Sequence, residues 1–305
     1  MADVLITGGS GFVGSWVARY LYKAGFSLVL LLRKTSRLDL LKGIEFETII
    51  GDLTRPESLS CLSKPFDYIV HAGGRIKAIK NYDYYRVNTL GTENLIRVQK
   101  RWRVKRFVFL SSLAAAGPTG KGHPVSHYGR SKLLAEEVIR RSGIPFTILR
   151  LPVVYGPGDP GTGRLFQLLK RGVGLIPGRD HRLSLIYVED VALFIAGLLK
   201  NESFLNQTVY HSDGGIYLLS DVLRISSFLM NRRLVWIKLP PFILAITIPL
   251  LDNILKDRSP ITRDKVRELI EKEWTCPGQE IYRIEFDIEM GLRKTVDFFV
   301  RHDKI

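Results

Sequence analysis

Apolar runs and helical repeats alternate along the first half of the chain. Residues 4–7 form a short apolar, β-branched run ending in glycines, which reads as a strand. Phe12–Lys23 follows as a helix, with Val13, Trp16, Val17, Tyr20 and Leu21 at helical spacing. Residues 28–32 are continuously apolar, as expected for a strand buried on both faces. Further strand-like runs cover residues 46–50, Tyr68–His71, 106–110 and 147–151, with helical stretches over 82–99 and 128–141 between them. Strands and helices alternating through short connections predict an α/β fold, a doubly wound parallel sheet wrapped by helices.

Beyond residue 152 this regularity loosens. Gly156, Pro157, Gly158, Pro160, Gly161 and Gly163 crowd an expected long loop, followed by a helix over 165–171. From about residue 212 onward the pattern mixes helices and short strands. The expected division is therefore a nucleotide-binding part made of residues 1–152 and 183–211, with the chain crossing back near 184–210. A smaller C-terminal substrate domain would take residues 153–182 and 212–305.

Composition changes this picture little. At 305 residues, 46% hydrophobic and 25% charged, the chain has the make-up of an ordinary globular protein with no low-complexity tract or internal repeat. Cys61 and Cys276 stand far apart without metal-ligand company, which argues for a reducing, cytoplasmic setting and against a disulfide scaffold or metal centre. The N-terminal residues enter a strand directly, with no basic region before an apolar core, so no secretory signal is expected. The formal charge of +15 fits either a solvated basic surface or attraction to something anionic. One local cluster, Lys100, Arg101, Arg103, Lys105 and Arg106, reads as a helix end facing water, and no nucleic-acid module accompanies it.

The first chemistry lies in Thr7-Gly8-Gly9-Ser10-Gly11-Phe12-Val13-Gly14, directly after a strand and opening a helix. Gly8 permits the tight strand exit, Gly11 lets the backbone approach a pyrophosphate, and Gly14 lets the helix lie close on the strand. The helix N-terminus then favours the phosphates, with Ser10, Phe12 and Val13 beside them. This is the Rossmann pattern for a dinucleotide. Where a carboxylate would bind a free ribose 2′-hydroxyl, the end of the second strand carries Arg33, which accommodates a 2′-phosphate instead. NADP(H) is therefore favoured, with NAD(H) the alternative.

The second constellation is Tyr128-Gly129-Arg130-Ser131-Lys132 at the start of a helix, which sets Tyr128 and Lys132 on one face. A phenol with an ordinary pKa of about 10 is a poor acid or base at neutral pH. A neighbouring ammonium and the positive charge of an oxidised nicotinamide favour phenolate and bring it toward its working range. Ser112, at the carboxyl end of a strand where open α/β sheets bind ligands, can hold the substrate oxygen. Ser111 is the fallback for that role. Asn88 is a further candidate, with a purely structural capping or packing role as the alternative.

These motifs resemble the extended short-chain dehydrogenase/reductase family, also called the NAD-dependent epimerase/dehydratase superfamily, across nearly the whole chain. Gly51-Asp52-Leu53 resembles its adenine-contacting turn, and His71-Ala72-Gly73-Gly74 its cofactor-flanking turn. Val87-Asn88-Thr89-Leu90-Gly91-Thr92 resembles the signature of the following helix. Arg150-Leu151-Pro152-Val153-Val154-Tyr155-Gly156-Pro157-Gly158-Asp159 resembles the loop past the sixth strand. The resemblance implies cofactor contacts at Asp52, Leu53, Ala72, Gly73, Gly74, Tyr128, Lys132, Pro152 and Val154. It also implies Ser112, Tyr128 and Lys132 as catalytic residues, and Asn88 as ordering water near the lysine.

Three departures separate the chain from the nucleotide-sugar branch. Leu113-Ala114 follow Ser112 where dehydratases carry Asp-Glu, Val153 stands where an Asn is expected, and Leu183-Ser184 replace Arg-Asp. The pocket is thereby expected to be more apolar. Residues 110–118 and 260–265 resemble the 3β-hydroxysteroid-dehydrogenase-like branch, although the stretch from Pro118 to Tyr128 is short for the family. The leading expectation is hydride transfer between nicotinamide and an alcohol or ketone carbon of a largely apolar small molecule. The alternative is an NAD-dependent nucleotide-sugar epimerase. A third reading, a cofactor-binding regulator without turnover, is disfavoured by the intact Tyr128–Lys132 pair. The resemblance also implies a homodimer through the helices near 82–99 and 128–141. The uncharged run 239–251 is too short and too rich in proline to span a bilayer. It is expected to wall the substrate pocket, with peripheral membrane contact as the alternative.

Overall fold

In the computed structural model, which describes residues 2–99, 102–240, 242–243, 262–278 and 284–301, seven parallel strands form the main sheet. They are β1 (Asp3–Thr7), β2 (Ser27–Leu32), β3 (Glu47–Ile50), β4 (Tyr68–His71), β5 (Arg106–Ser112), β6 (Phe146–Leu151) and, after four short strands outside the sheet, Gln207–Tyr210. Those four are β7 (Val153–Tyr155), β8 (Val173–Pro177), β9 (Arg182–Leu183) and β10 (Leu185–Tyr187), which makes the last strand of the sheet β11. The order is β11-β6-β5-β4-β1-β2-β3, and every pairing is parallel. The order reverses beside β1, so a crevice opens at the carboxyl ends of β1 and β4, where doubly wound sheets bind ligands.

Alternation along each strand builds a core on both faces. On β1, Val4 and Ile6 pack with Val17, Ala18 and Leu21 of α1 (Phe12–Lys23). Val191, Ala192 and Ile195 of the helix Val188–Leu198 join them on that face. Leu5 turns to the opposite face and joins Leu95, Ile96, Ala135 and Ile139. These four come from two helices, Gly91–Gln99 and His127–Arg140. The edge strand β3 is mostly exposed, and so begins one residue later than its apolar run.

The helical stretch expected over 82–99 is real but not uniform. It runs as α2 (Asn81–Tyr84), a π-helical turn over Tyr85–Leu90, then α3 (Gly91–Gln99). Such turns insert a residue into the helical ladder and frequently mark functional sites. The helix His127–Arg140 is α4. Ser126 caps it, the hydroxyl oxygen accepting a hydrogen bond from the Gly129 amide at 3.0 Å.

Two expectations are corrected. The glycine- and proline-rich stretch after Tyr155 is not all loop: α5 starts at Pro160 and runs to Lys170. Asp159 caps it by accepting from the Gly161 and Thr162 amides at 3.0 and 2.8 Å, and proline at the first helical position loses no needed donor. Nor does the whole basic cluster face water. Arg106 is buried and donates to the Leu198 carbonyl, while Lys105 pairs with Asp67 at 2.8 Å. Lys100 and Arg101 lie outside the described residues.

The later elements are α6 (Val188–Leu198), β12 (Tyr217–Leu218), α7 (Leu219–Leu229), β13 (Val235–Leu239), α8 (Arg263–Leu269), β14 (Glu273–Trp274) and α9 (Ile288–Arg301). Of these, β12, α7, β13 and α9 join β7 to β10 and α5 in a separate core around Tyr155, Phe166, Leu169, Tyr187, Leu223 and Phe299. Of the run 239–251, residues 241 and 244–251 lie outside the described residues. Among the described residues, no helix is long and apolar enough to cross a membrane.

Candidate active site

The turn after β1 is packed so closely that side chains are excluded from it. Gly8 sits at φ +71°, and a Cβ there would come within 2.5 Å of the Gly73 amide nitrogen. A Cβ on Gly14 would lie 2.2 Å from the Gly8 carbonyl oxygen, and one on Gly73 would lie 2.9 Å from the Thr7 hydroxyl. Gly11, exposed, donates its amide to the Gly8 carbonyl at 2.9 Å and closes the turn. No side chain caps α1, and no acidic residue stands in its first turn. Its leading amides therefore keep their capacity for an anion. Ser10, Phe12 and Val13 stand at this open end, so the cradle fits a dinucleotide pyrophosphate.

Arg33 is exposed just past β2, its amide donating to the Ser36 hydroxyl at 3.1 Å. Across the crevice, Asp52 turns inward, its carboxylate accepting from the Thr54 amide and hydroxyl, both at 2.8 Å. Burial works against that carboxylate. The Thr54 hydrogen bonds and the charges of Arg33 and Arg55 outweigh it and hold the group below its ordinary value. Leu53 packs near Gly73 and Gly91, and so lies between this turn and the one after β4. The Arg33 guanidinium and the Asp52 turn thus flank the same end of the cradle.

Ser112, Tyr128 and Lys132 converge on the next crevice. The Ala114 amide donates to the Ser112 hydroxyl oxygen at 3.2 Å, and the same hydroxyl hydrogen-bonds the Tyr128 phenol. Lys132 is buried. Its ammonium donates to the Leu110 carbonyl at 2.6 Å and lies 3.9 Å from the centre of the Phe109 ring. Burial pulls the lysine down to about 7, opposed by the charge of Glu136. Burial pushes the Tyr128 phenol up to about 12; the Ser112 hydrogen bond lowers it, while Glu268 and Tyr84 raise it further. The sequence leads one to expect a phenol poised low. In the protein without cofactor it is held high, because desolvation and a carboxylate outweigh the hydroxyl.

Ser111 is not an alternative to Ser112. Its hydroxyl points away from the crevice and donates to Glu136 at 2.6 Å. Asn88, on the π-helical turn and 1% exposed, spends its amide on structure. Its oxygen accepts from the Arg75 amide at 2.6 Å, and its nitrogen donates to the Arg75 carbonyl and to Ser131 at 3.0 and 2.8 Å. It therefore fastens the turn Ala72-Gly73-Gly74 to α4, and Gly74 faces both its oxygen and the Lys132 ammonium. His71 is buried between the Thr7 and Thr92 hydroxyls at 2.5 and 2.9 Å. Burial, aided by the Lys132 charge, pulls it down to about 3, so it stays neutral. Pro152 and Val154 are half-buried past β6, and Val153 is exposed.

One departure from the nucleotide-sugar pattern, and the short segment after Pro118, are tied into the packing. Ser184 is buried and accepts from the Cys276 amide at 3.1 Å, while Leu183 packs into the C-terminal core. The short segment after Pro118 is pinned, with the Thr275 amide donating to the Pro118 carbonyl at 2.9 Å and the Tyr210 hydroxyl to the Gly120 carbonyl at 2.6 Å.

Sequence reasoning missed the residues that hold Tyr128 from outside. Asp264 on α8 accepts from the His127 and Tyr128 amides at 2.7 and 3.0 Å. Glu268, one turn on, accepts from the Ser126 hydroxyl at 2.7 Å. Tyr84 accepts from the Ala78 amide at 3.0 Å, hydrogen-bonds Thr262, and lies 6.0 Å, centre to centre, from the Tyr128 ring. The spacing of Asp264 and Glu268 signals a shared helix face but not its partner. Among the described residues no group of His, Cys, Asp and Glu could hold a metal ion.

Comparison with known proteins agrees with this geometry. The family model described as "NAD dependent epimerase/dehydratase family" matches residues 4–211, more than half of the chain. A ceramide reductase of Caulobacter vibrioides is 30% identical over 305 residues, covering 97% of this chain and 94% of that protein. A UDP-glucose 4-epimerase of Vibrio cholerae is 26% identical over 254 residues, 75% of this chain and 76% of that protein. The Bordetella bronchiseptica enzyme WbmH, solved in complex with NAD+, shares the fold with a TM-score of 0.75 at 20% identity, covering 100% of both chains.

Proposed function

Since the chain belongs to the NAD dependent epimerase/dehydratase family and is a nicotinamide-dependent enzyme, we propose that it reduces or forms a carbonyl on a largely apolar substrate, with Tyr128 as acid/base. The observation that carries this reading is the convergence of Ser112, at the end of β5, with Tyr128 and the buried Lys132, one turn apart on α4. Ser112 holds the substrate oxygen, Tyr128 gives or takes its proton, and Lys132 stands between the phenol and the cofactor site. Asn88 keeps the turn at Gly74 and α4 in register. The pyrophosphate rests on Gly8, Ser10, Gly11, Phe12, Val13 and Gly14. Asp52 and Leu53 border the adenine, Ala72, Gly73 and Gly74 flank the ribose, and Pro152 and Val154 back the nicotinamide. When bound, the nicotinamide supplies or accepts the hydride.

The substrate class follows from what borders the site. Val153 is exposed where a polar residue would hold a sugar hydroxyl, and Leu183 and Ser184 are withdrawn into packing. An apolar lipid carbonyl suits such a wall better than a nucleotide sugar, in keeping with a ceramide reductase aligned over nearly the whole chain. The C-terminal residues 153–182 and 212–305 form the substrate side, and residues 1–152 and 183–211 the nucleotide side. We assign the outer faces of α2, α3 and α4 to a homodimer, checked by light scattering, and the enzyme to the cytoplasm.

One experiment tests the central reading. Purified full-length chain is assayed with NADPH or NADH against a ketone whose reduction yields a ceramide, and with NAD+ against UDP-glucose. Turnover of the ketone, abolished in Tyr128→Phe while the cofactor still binds, is the expected result. Epimerisation of UDP-glucose without ketone turnover would replace this reading with the alternative. The same titrations test the cofactor. With Arg33 beside the Asp52 turn, NADPH should bind about tenfold more tightly than NADH, about 1.4 kcal/mol, and Arg33→Asp should reverse the order.

A further inference from the structure

The first turn of α4 is held by a helix almost 140 residues away in the chain. Asp264 takes the His127 and Tyr128 amides at 2.7 and 3.0 Å, two of the donors that a helix start leaves without partners. Glu268 takes the Ser126 hydroxyl at 2.7 Å, and Ser126 in turn caps the Gly129 amide. Both carboxylates are buried, at 5% and 6% exposure. Lys265 pairs with the outer oxygen of Glu268 at 2.5 Å and is itself half exposed. Thr262 caps α8 and hydrogen-bonds Tyr84, whose ring lies beside Tyr128. Ser126 satisfies one of these donors and Asp264 two more, but Glu268 takes no backbone amide and bonds only the capping hydroxyl. A second buried carboxylate at the same turn, Glu268, calls for another explanation.

We propose that Asp264 and Glu268 are positioning residues that fix the Tyr128 phenol against Ser112, with Glu268 adding to burial in keeping it in its proton-bearing form, setting the site for carbonyl reduction. This deepens the reading of Tyr128 as acid/base and rests on it. In that direction the carbonyl carbon gains a hydride, its oxygen takes the phenol proton, and the C=O bond becomes a C–O single bond. The dihydronicotinamide is oxidised, the ketone is reduced to an alcohol, and Tyr128 is left as phenolate until solvent returns a proton.

The groups around the phenol explain the bias. A helix start and a nearby ammonium both favour phenolate. Lys132 lies one turn along α4; burial raises the phenol most, Ser112 from the end of β5 lowers it, and Tyr84, approaching from α2, raises it. His127 and Tyr85 are occupied with each other at 2.8 Å, with Arg130 and Arg267 on their outer side. Glu268 opposes the Ser112 hydroxyl, while Asp264 holds the backbone at the positive end of α4. Glu268 is the charged group that raises the phenol most.

The test reads the phenol itself and needs no substrate. The full chain is labelled with tyrosine carrying 13C at Cζ, and the Tyr128 resonance is identified by its loss in Tyr128→Phe. Its pH midpoint is then compared between wild type and two variants. Glu268→Gln should lower the midpoint by about one pH unit, the size of a charge interaction across several ångströms of partly buried protein. Lys265→Met, a half-exposed change that unmasks the Glu268 charge, should raise it. Opposite shifts support the proposal, and should Glu268→Gln fail to fold, the upward shift in Lys265→Met alone carries it. A midpoint unmoved in every folded variant overturns it and leaves Asp264 and Glu268 as structural caps. Because this midpoint is independent of turnover, its failure is distinct from a failure of the Tyr128→Phe assay.

Discussion

The two ends of α4 are held by different chemistry from different parts of the chain. Toward its C-terminal half, Glu136 reaches under the sheet. It accepts from Ser111 on β5 at 2.6 Å, from Arg150 on β6 through two bonds at 2.9 and 2.7 Å, and from Arg140 on its own helix at 2.7 Å. The carboxylate is fully buried, and the bidentate arginine gives it a rigid partner. At the other end, Asp264 and Glu268 approach from α8 and hold backbone amides and one hydroxyl. The inner end is fastened by charge to the main sheet, and the outer end by hydrogen bonds to α8. Lys132, between the two anchors, is fixed against Leu110 and Phe109.

Cutting the inner anchor should have the largest effect. Glu136→Gln leaves the half-buried Arg150 without its countercharge, at a cost approaching that of a broken buried pair, about 3–5 kcal/mol. Urea denaturation should show that loss, far above the roughly 1 kcal/mol expected for Asp264→Asn as loss of a cap. Equal losses at the two ends would erase the distinction drawn between them.

A smaller effect, confined to the outer end, is expected from Gly129→Ala. A Cβ at Gly129 would meet the Ala114 carbonyl oxygen at 2.2 Å and Pro124 at 3.0 Å. The first turn of α4 would have to lift off the turn that carries Ser112, at an overpacking cost of about 1–3 kcal/mol. Turnover should fall more than stability, since the Ser112–Tyr128 contact is what moves. Cofactor affinity, governed by the glycines after β1, should change little. A variant with full activity would mean that the close approach at Gly129 does not set the Tyr128 position.

These contrasts also mark what the amino-acid order reveals. The strands β1 to β6, α1 and the glycine turn are legible because their determinants are local, an apolar run, a 3.6-residue repeat, a glycine where φ is positive. Ser112, Tyr128 and Lys132 are legible for the same reason, since a strand end and a helix start carry them. The break in the helix at Tyr85–Leu90 is not, because nothing in its composition separates a π-helical turn from an α-helical one. Helix α5 is hidden behind glycines that usually mean loop, and only Asp159-Pro160 betrays its start. Asp264 and Glu268 look like an ordinary polar helix face until the fold sets them against α4. Contacts between segments far apart in the chain leave no periodicity to read.

The smallest effect concerns Lys132, midway between the anchors, and it is read through pH. Its folded pKa is pulled down to about 7 by burial, whereas an unfolded lysine titrates near 10.4. Between those values the unfolded chain binds a proton that the folded chain has shed, so stability rises as pH rises through this window. Below about 7 both states are protonated, and the cost of a buried ammonium is present in full. Lys132→Met removes the group. Relative to wild type, the cofactor-free variant should be most stabilised at pH 7 and below, and its advantage should shrink toward pH 9, at no more than about 1.4 kcal/mol per pH unit. Tyr128 does not confuse the comparison, because its phenol is pushed up to about 12 and an unfolded tyrosine titrates near 10, above the range used. Urea midpoints at pH 6, 7, 8 and 9 for both proteins provide the measurement. If the difference between them is independent of pH, Lys132 keeps its ammonium throughout, and the contacts to Leu110 and Phe109 offset its burial more fully than desolvation alone implies.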